Sequence, residues 1–323
     1  MSDCPFDGAC HLLSKEEAVR ALAAINRIHN CRMTILAMVR SADKAQKIYG
    51  SLLERGDVAL VIGDVRDPIV YDGAVDYIIH GASVTASKEM VTRPVETIAT
   101  AIGGTEQILK FAVAKQVTSM VYISSMEMYG TPDPALPCVT ESDYGRVDVL
   151  QVRSCYPEGK RMAEQYCCAY AAEYGVPAMV VRLAQTFGPG IPKSDGRLFA
   201  MCARNVLAGE DIVLKTTGAS TRMYLYTADA VSALLTVMLK GEPGCAYNAA
   251  NPSTYCSVRE MAEMVATLVT AGNVQVRCEI DPDAPYPPEH HLPLDVSRLE
   301  ALGWAPTQDL PGMYRNLMAY LED

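Results

Sequence analysis

Short apolar runs separated by helical patterns set the rhythm of this chain. Met33–Val39, Val58–Ile62, Val75–Ile79, Ser119–Ile123 and Met179–Leu183 are nearly continuous in apolar residues. Runs of that length predict strands buried on both faces. Lys15–Ile28 carries Val19, Leu22, Ala23 and Ile25 on one helical side, with Ser14 placed to cap it. The charged stretch Ser41–Arg55 and the stretch Thr97–Lys115 also predict helices. Strands of this kind alternating with helices predict an α/β fold with a doubly wound parallel sheet. After Gly188 the texture changes: Pro189, Gly190 and Pro192 punctuate a loop, Leu198–Leu207 is helical, and Gly and Pro recur through Asp281–Pro288. The pattern divides the chain into a larger doubly wound domain (1–188, with 222–247 returning to it) and a smaller α+β domain (189–221 and 248–323).

Composition narrows the function classes. Half of the 323 residues are apolar, enough for a large core. A formal charge of −10 lacks the basic footprint of a nucleic-acid binder, although a few placed arginines suffice for a small anion. The eleven cysteines are scattered from Cys4 to Cys278 with no C-x-x-C pair, which predicts reduced thiols in the cytoplasm. Cys4, Cys10 and His11 find no further ligands to complete a metal site. His290-His291, with prolines on both sides, reads as a loop. No apolar run approaches the ~20 residues of a membrane span, and Asp3 and Asp7 interrupt a leader-like start. Neither a membrane nor nucleic acid is an expected partner.

Tyr156 and Lys160, in SCYPEGKRMAE, carry the chemistry. Four-residue spacing on a helix puts them one turn apart on one face. An ammonium beside a phenol stabilises the phenolate, and such a tyrosine can take a proton from a hydroxyl as a hydride leaves the same carbon. Alone the spacing is weak. It is joined in order by IGDVRDP (62–68), IIHGAS (78–83), YISSMEMYG (122–130), VVRLAQTFGPG (180–190) and STRMYLYTADAV (220–231).

This ordered set resembles the extended short-chain dehydrogenase/reductases, the NAD(P)-dependent nucleotide-sugar epimerase, dehydratase and decarboxylase group, from about residue 16 to the carboxyl end. The resemblance implies a Rossmann-like fold and a cytoplasmic homodimer acting on a nucleotide sugar through a 4-keto sugar, with NAD or NADP as cofactor. It implies Tyr156 as general base, Lys160 as its activator and a cofactor-ribose ligand, and Ser125 as hydrogen-bond partner of the sugar hydroxyl, with Glu127 beside them. Asp64 and Val65 would border the adenine, and Gly81, Ala82, Ser83 and Thr85 would line the cofactor. Gln185 and Arg222 would hold the substrate, Arg222 at its diphosphate. Arg40 closes the first predicted strand where NAD-preferring folds place an acid, and an arginine there can accommodate a 2′-phosphate. Between Ser125 and Glu127, dehydratases have an aspartate; Met126 cannot donate a proton. Decarboxylation, epimerisation or reduction is therefore favoured over 4,6-dehydration.

Two features depart from the family. Ala101 stands where its helix commonly has asparagine. More seriously, the only glycines before residue 64 are Gly8, Gly50, Gly56 and Gly63, so no glycine-rich phosphate loop can be written. The usual first strand is also expected to be missing, as from a damaged amino terminus. Its loss from mid-sheet would orphan backbone groups at about 1–3 kcal/mol each. A non-catalytic relative that retains nucleotide-sugar binding through Arg222 is the alternative expectation.

Overall fold

The computed structural model describes residues 4–13, 16–268, 274–281 and 289–323. In chain order its elements are β1 (Cys10–Leu13), α1 (Glu16–His29), β2 (Thr34–Val39), α2 (Ala42–Tyr49), β3 (Val58–Ile62), β4 (Tyr77–His80), α3 (Ser87–Thr92), α4 (Pro94–Lys115) and β5 (Ser119–Ser125). There follow α5 (Cys155–Tyr174), β6 (Ala178–Leu183), β7 (Gln185–Phe187), α6 (Leu198–Ala208), β8 (Ile212–Leu214), β9 (Thr221–Tyr226) and α7 (Thr227–Lys240). The last are β10 (Ala246–Ala249), β11 (Asn251–Ser257), α8 (Val258–Ala266), β12 (Val276–Cys278), β13 (His291–Leu292), α9 (Ser297–Glu300) and α10 (Leu310–Glu322).

The chain forms two compact units. The first comprises Met1–Gly130, Gly145–Arg182 and Val231–Tyr247. Its seven-stranded sheet runs β3-β2-β1-β4-β5-β6-β10, parallel from β3 through β5. Each apolar run supplied a strand, with one shift. β4 begins at Tyr77 rather than Val75, because Asp76 is spent on β1: its amide donates to the Cys10 carbonyl and its carboxylate accepts from the Cys10 amide. The predicted helix 41–55 breaks at Gly50, whose φ of +43° suits glycine, and continues as a 3-10 turn to Arg55.

The first strand is not missing, contrary to the sequence expectation. Cys10–Leu13 lies between β2 and β4, with Leu12 opposite both Leu36 and Ile78. Four residues without a β-branched side chain suffice because two ready-made partners pair their backbone on both sides. One face of β1 is well matched: Cys10 and Leu12 join Leu36, Ile78, Met120 and Val180 in the core under α4 and α5. On the other face His11 is wholly buried between Phe6 and Tyr77, with neither ring nitrogen hydrogen-bonded among the described residues. Only Ser14 and Lys15 separate β1 from α1, so no glycine stands between them. The expected Ser14 cap lies outside the described residues, as does most of the 281–288 segment.

The second unit comprises Thr131–Tyr144, Leu183–Ala230 and Asn248–Asp323. β9 pairs with β7, β11 and β13, and β8 with β12. Here β9 groups with β7 rather than with the large sheet, and 131–144 joins the later residues, unlike the boundaries read from sequence. Phe187, Phe199, Tyr224 and Tyr314 centre its core. His291 is not loop but opens β13, its Nδ1 2.8 Å from Thr221 Oγ1.

Candidate active site

β5 carries the chain from the core to Ser125, whose hydroxyl accepts the Glu127 amide hydrogen at 3.2 Å. That bond starts a 3-10 turn, Met126–Tyr129, which ends at Gly130. Gly130 has φ +65°, and a Cβ there would meet the Arg146 carbonyl oxygen at 2.4 Å, so only glycine fits. The turn leaves Ser125 and Glu127 half-buried and turns Met126 into the interior.

α5 supplies the other half. Lys160 is buried, and its Nζ donates to the Ile123 carbonyl at 2.7 Å, 4.8 Å from the Tyr122 ring centre and 5.7 Å from that of Tyr156. The helical spacing thus sets the lysine against its tyrosine, while β5 fixes the ammonium. One turn later Glu164 accepts from Ser124 Oγ and from Arg182 on β6; Arg182 in turn donates to Tyr129 Oη at 2.9 Å. The Arg182 and Glu164 side chains are only 2% and 10% exposed. Burial opposes the arginine's charge, and Glu164 more than offsets it, so its pKa rises. Arg161 adds bonds to the Met128 and Gly145 carbonyls, both at 2.7 Å. The Ser125–Glu127 turn is therefore bolted to α5 from below and from the side.

Arg153, in the 3-10 turn before α5, was not singled out from the sequence. Its Nη1 lies 2.8 Å from Glu127 Oε2. Burial works against its charge, but Glu127, Tyr156 and Cys155 together hold its pKa above the ordinary arginine value. Its place three residues before Tyr156 was the available signal. His80 was also missed. Thr105 Oγ1 spends its hydrogen on the Ala101 carbonyl and so accepts from His80 Nε2 at 3.0 Å, while Nδ1 has no partner among the described residues. Burial, helped by the Lys160 charge, lowers the His80 pKa to about 3. Ala101 itself packs against Gly159, where a methyl group would approach its Cβ to 3.1 Å. The small residue serves close contact between α4 and α5.

The expected cofactor residues fall along the ends of β2, β3 and β4. Arg40, Ser41 and Lys44 line a cavity of about 480 Å³ with no carboxylate among its lining residues. Arg40 also lies 3.7 Å from Glu96. Asp64 is forked by Arg66, which holds its pKa down at about 2. Val65 is buried against α4 at Gly104, where a Cβ would come within 2.8 Å of it. After β4, Gly81 is buried, Ala82 and Ser83 half-buried and Thr85 exposed. These residues fit a dinucleotide at its adenosine end, and Tyr156 with Lys160 fits the nicotinamide end. No glycine serves the pyrophosphate between them.

In the second unit Gln185 pairs in register with Tyr224, two residues from Arg222, so Gln185 and Arg222 share a face of that sheet. Arg222 Nε is enclosed and has no hydrogen-bond partner among the described residues. Among the described residues no three His, Cys, Asp or Glu side chains group to hold a metal, and no helix is long and apolar enough to cross a membrane.

Comparison with known proteins bears on the family and the fold. UDP-glucuronic acid decarboxylase 5 of Arabidopsis thaliana is 32% identical over 248 residues, 76% of this chain and 70% of that protein. UDP-glucuronic acid decarboxylase 1 of Xenopus tropicalis is 32% identical over 78% of this chain and 57% of its own. Among solved structures, the UDP-glucose 4-epimerase of Thermotoga maritima superposes with a TM-score of 0.80 at 18% identity, covering 97% of this chain and 98% of that one. The UDP-glucuronic acid 4-epimerase of Bacillus cereus, solved with UDP-glucuronic acid and NAD, gives 0.79 at 16% identity, covering 97% and 99%. These two share the fold. Residues 17–250 match the model of the NAD dependent epimerase/dehydratase family, and to that family of enzymes the chain belongs.

Proposed function

We propose that this enzyme decarboxylates a nucleotide-linked hexuronic acid through a 4-keto sugar. The Ser125–Met126–Glu127 turn disfavours dehydration, with a hydroxyl and a carboxylate half-buried and a buried thioether between them where expulsion of a hydroxyl needs an acid, and the likeness to UDP-glucuronic acid decarboxylases selects decarboxylation among the outcomes that remain. The UDP-glucuronic acid decarboxylases among its relatives support the same substrate class. Tyr156, as phenolate, takes the C4 hydroxyl proton, with Ser125 orienting that hydroxyl and the Lys160 ammonium offsetting the charge. When bound, the nicotinamide supplies hydride acceptance from C4 and its later return. The C5 carboxylate is then β to a ketone: the C5–C6 bond breaks, its electron pair moves to the C4 oxygen, and CO2 departs. Tyr156 protonates that oxygen, C5 takes a proton from water on the Glu127 side, the hydroxide so formed leaves to combine with the released CO2 as hydrogencarbonate, and Tyr156 recovers its proton as the ketone re-forms. It finally gives that proton to the C4 oxygen as hydride returns. Arg222 and Gln185 hold the nucleotide diphosphate.

The cavity at Arg40 and Lys44 supports acceptance of NADP as well as NAD. Eleven free thiols support a cytoplasmic location. We further propose a homodimer, to be tested by light scattering. The functional test is incubation with UDP-glucuronate and NAD or NADP, following CO2 release and the sugar product by NMR. A UDP-pentose is expected. A UDP-hexuronate epimer would convert the assignment to epimerase, and binding of UDP-sugar without turnover would make the chain a non-catalytic relative.

A further inference from the structure

Glu127 and Arg153 meet from two different elements, one from the turn after β5 and the other from the turn that leads into α5. At 36% and 30% exposure their side chains are partly sheltered, unlike the open surface pairs that water screens to little effect. The backbone beneath Glu127 is already held without Arg153. Ser125 caps the turn, and Arg161 donates to the Met128 and Gly145 carbonyls. Those bonds leave the Glu127 side chain itself undetermined, and a glutamate has three rotatable bonds to fix. A guanidinium contacting its carboxylate restricts them, because its donors form a rigid fork. The division of labour is clear: Arg161 fixes the turn, and Arg153 fixes what the turn presents.

We propose that Arg153 is a positioning residue, acting on turnover through Glu127 by setting where that carboxylate points in the catalytic centre. The proposal rests on the decarboxylase assignment above, and it excludes two other roles for the same cation. Arg153 could bind the sugar carboxylate directly, or it could act on Tyr156 alone. Each makes a different kinetic pattern.

The experiment is a double-mutant cycle in the full chain with UDP-glucuronate and NAD, using Glu127→Gln, Arg153→Gln, Arg153→Lys and the double variant E127Q/R153Q. Arg153→Gln should lower kcat by about tenfold or more, with KM changed by less than about threefold. Arg153→Lys should recover part of that loss. In the Glu127→Gln background, Arg153→Gln should cost less than about twofold, since residues acting as a unit are not additive. Equal losses in both backgrounds would overturn the proposal, as would a raised KM with kcat intact. If the wild-type chain is inert toward UDP-glucuronate, the decarboxylase assignment fails, and crystal structures of wild type and Arg153→Gln decide the positioning role. Displacement of the Glu127 carboxylate over an unmoved turn backbone supports it; an unmoved carboxylate overturns it.

Discussion

β1 and β5 lie two strands apart in one sheet, and they treat buried polar groups in opposite ways. Around β5, Ser124, Glu164, Arg182 and Tyr129 are joined by a chain of hydrogen bonds that ties the turn after β5 to α5. On β1, His11 is equally buried, and neither ring nitrogen has a hydrogen-bond partner among the described residues. A low local dielectric makes the first arrangement rigid and the second costly. Polar groups buried with their partners define a site; one buried only to complete a strand is a liability. In the sequence the two residues that follow β1, Ser14 and Lys15, include no glycine.

Four measurements would break or sharpen that contrast. Arg182→Met leaves Glu164 buried and uncompensated, and should cost about 3–5 kcal/mol in chemical denaturation. A loss below about 1 kcal/mol would mean the network is not what stabilises the β5 side. Tyr156→Phe should lower turnover by about 10²–10⁴-fold, with a far smaller change in melting temperature than Arg182→Met produces. His11→Leu should stabilise the fold by about 1–3 kcal/mol, since it removes unsatisfied buried nitrogens. It should also flatten the acid side of the stability curve. Burial, partly offset by Asp76, lowers the His11 pKa from 6.5 to about 4, so the unfolded chain takes up its proton first. Stability is full above pH 6.5 and falls toward pH 4, by on the order of 3 kcal/mol for this residue. His80 adds a loss of the same sign down to about pH 3. Smallest of the four, Arg40→Glu should weaken NADP binding relative to NAD by about tenfold in calorimetry; an unchanged ratio would remove Arg40 from the cofactor site.

Much of the fold, and the spacing at the centre of the candidate site, could be read directly. Val58–Ile62 is a strand at its predicted limits, and the Tyr156–Lys160 spacing did place the ammonium against the phenol's ring. What escaped depends on partners distant in the chain. Cys10–Leu13 carries a histidine and no β-branched residue, so its own pattern is poor; β2 and β4 make it a strand. Arg182 and Glu164 look like surface charges until β6 and α5 bury them together. Arg153 is one more arginine beside a motif until the turn after β5 brings Glu127 to it. Local periodicity reports what a segment prefers, while pairing across the sheet decides what it becomes.

The bond from the Cys10 amide to the Asp76 carboxylate spans 66 residues of chain. Its consequence is kinetic. β1 cannot find both neighbours until β2 and β4 stand one strand's width apart, so the middle of the sheet is completed by closing a long loop rather than by local zipping. The amides of Cys10 to Leu13 should therefore gain protection late in refolding, after those of β2 and β3, even though they precede both along the chain.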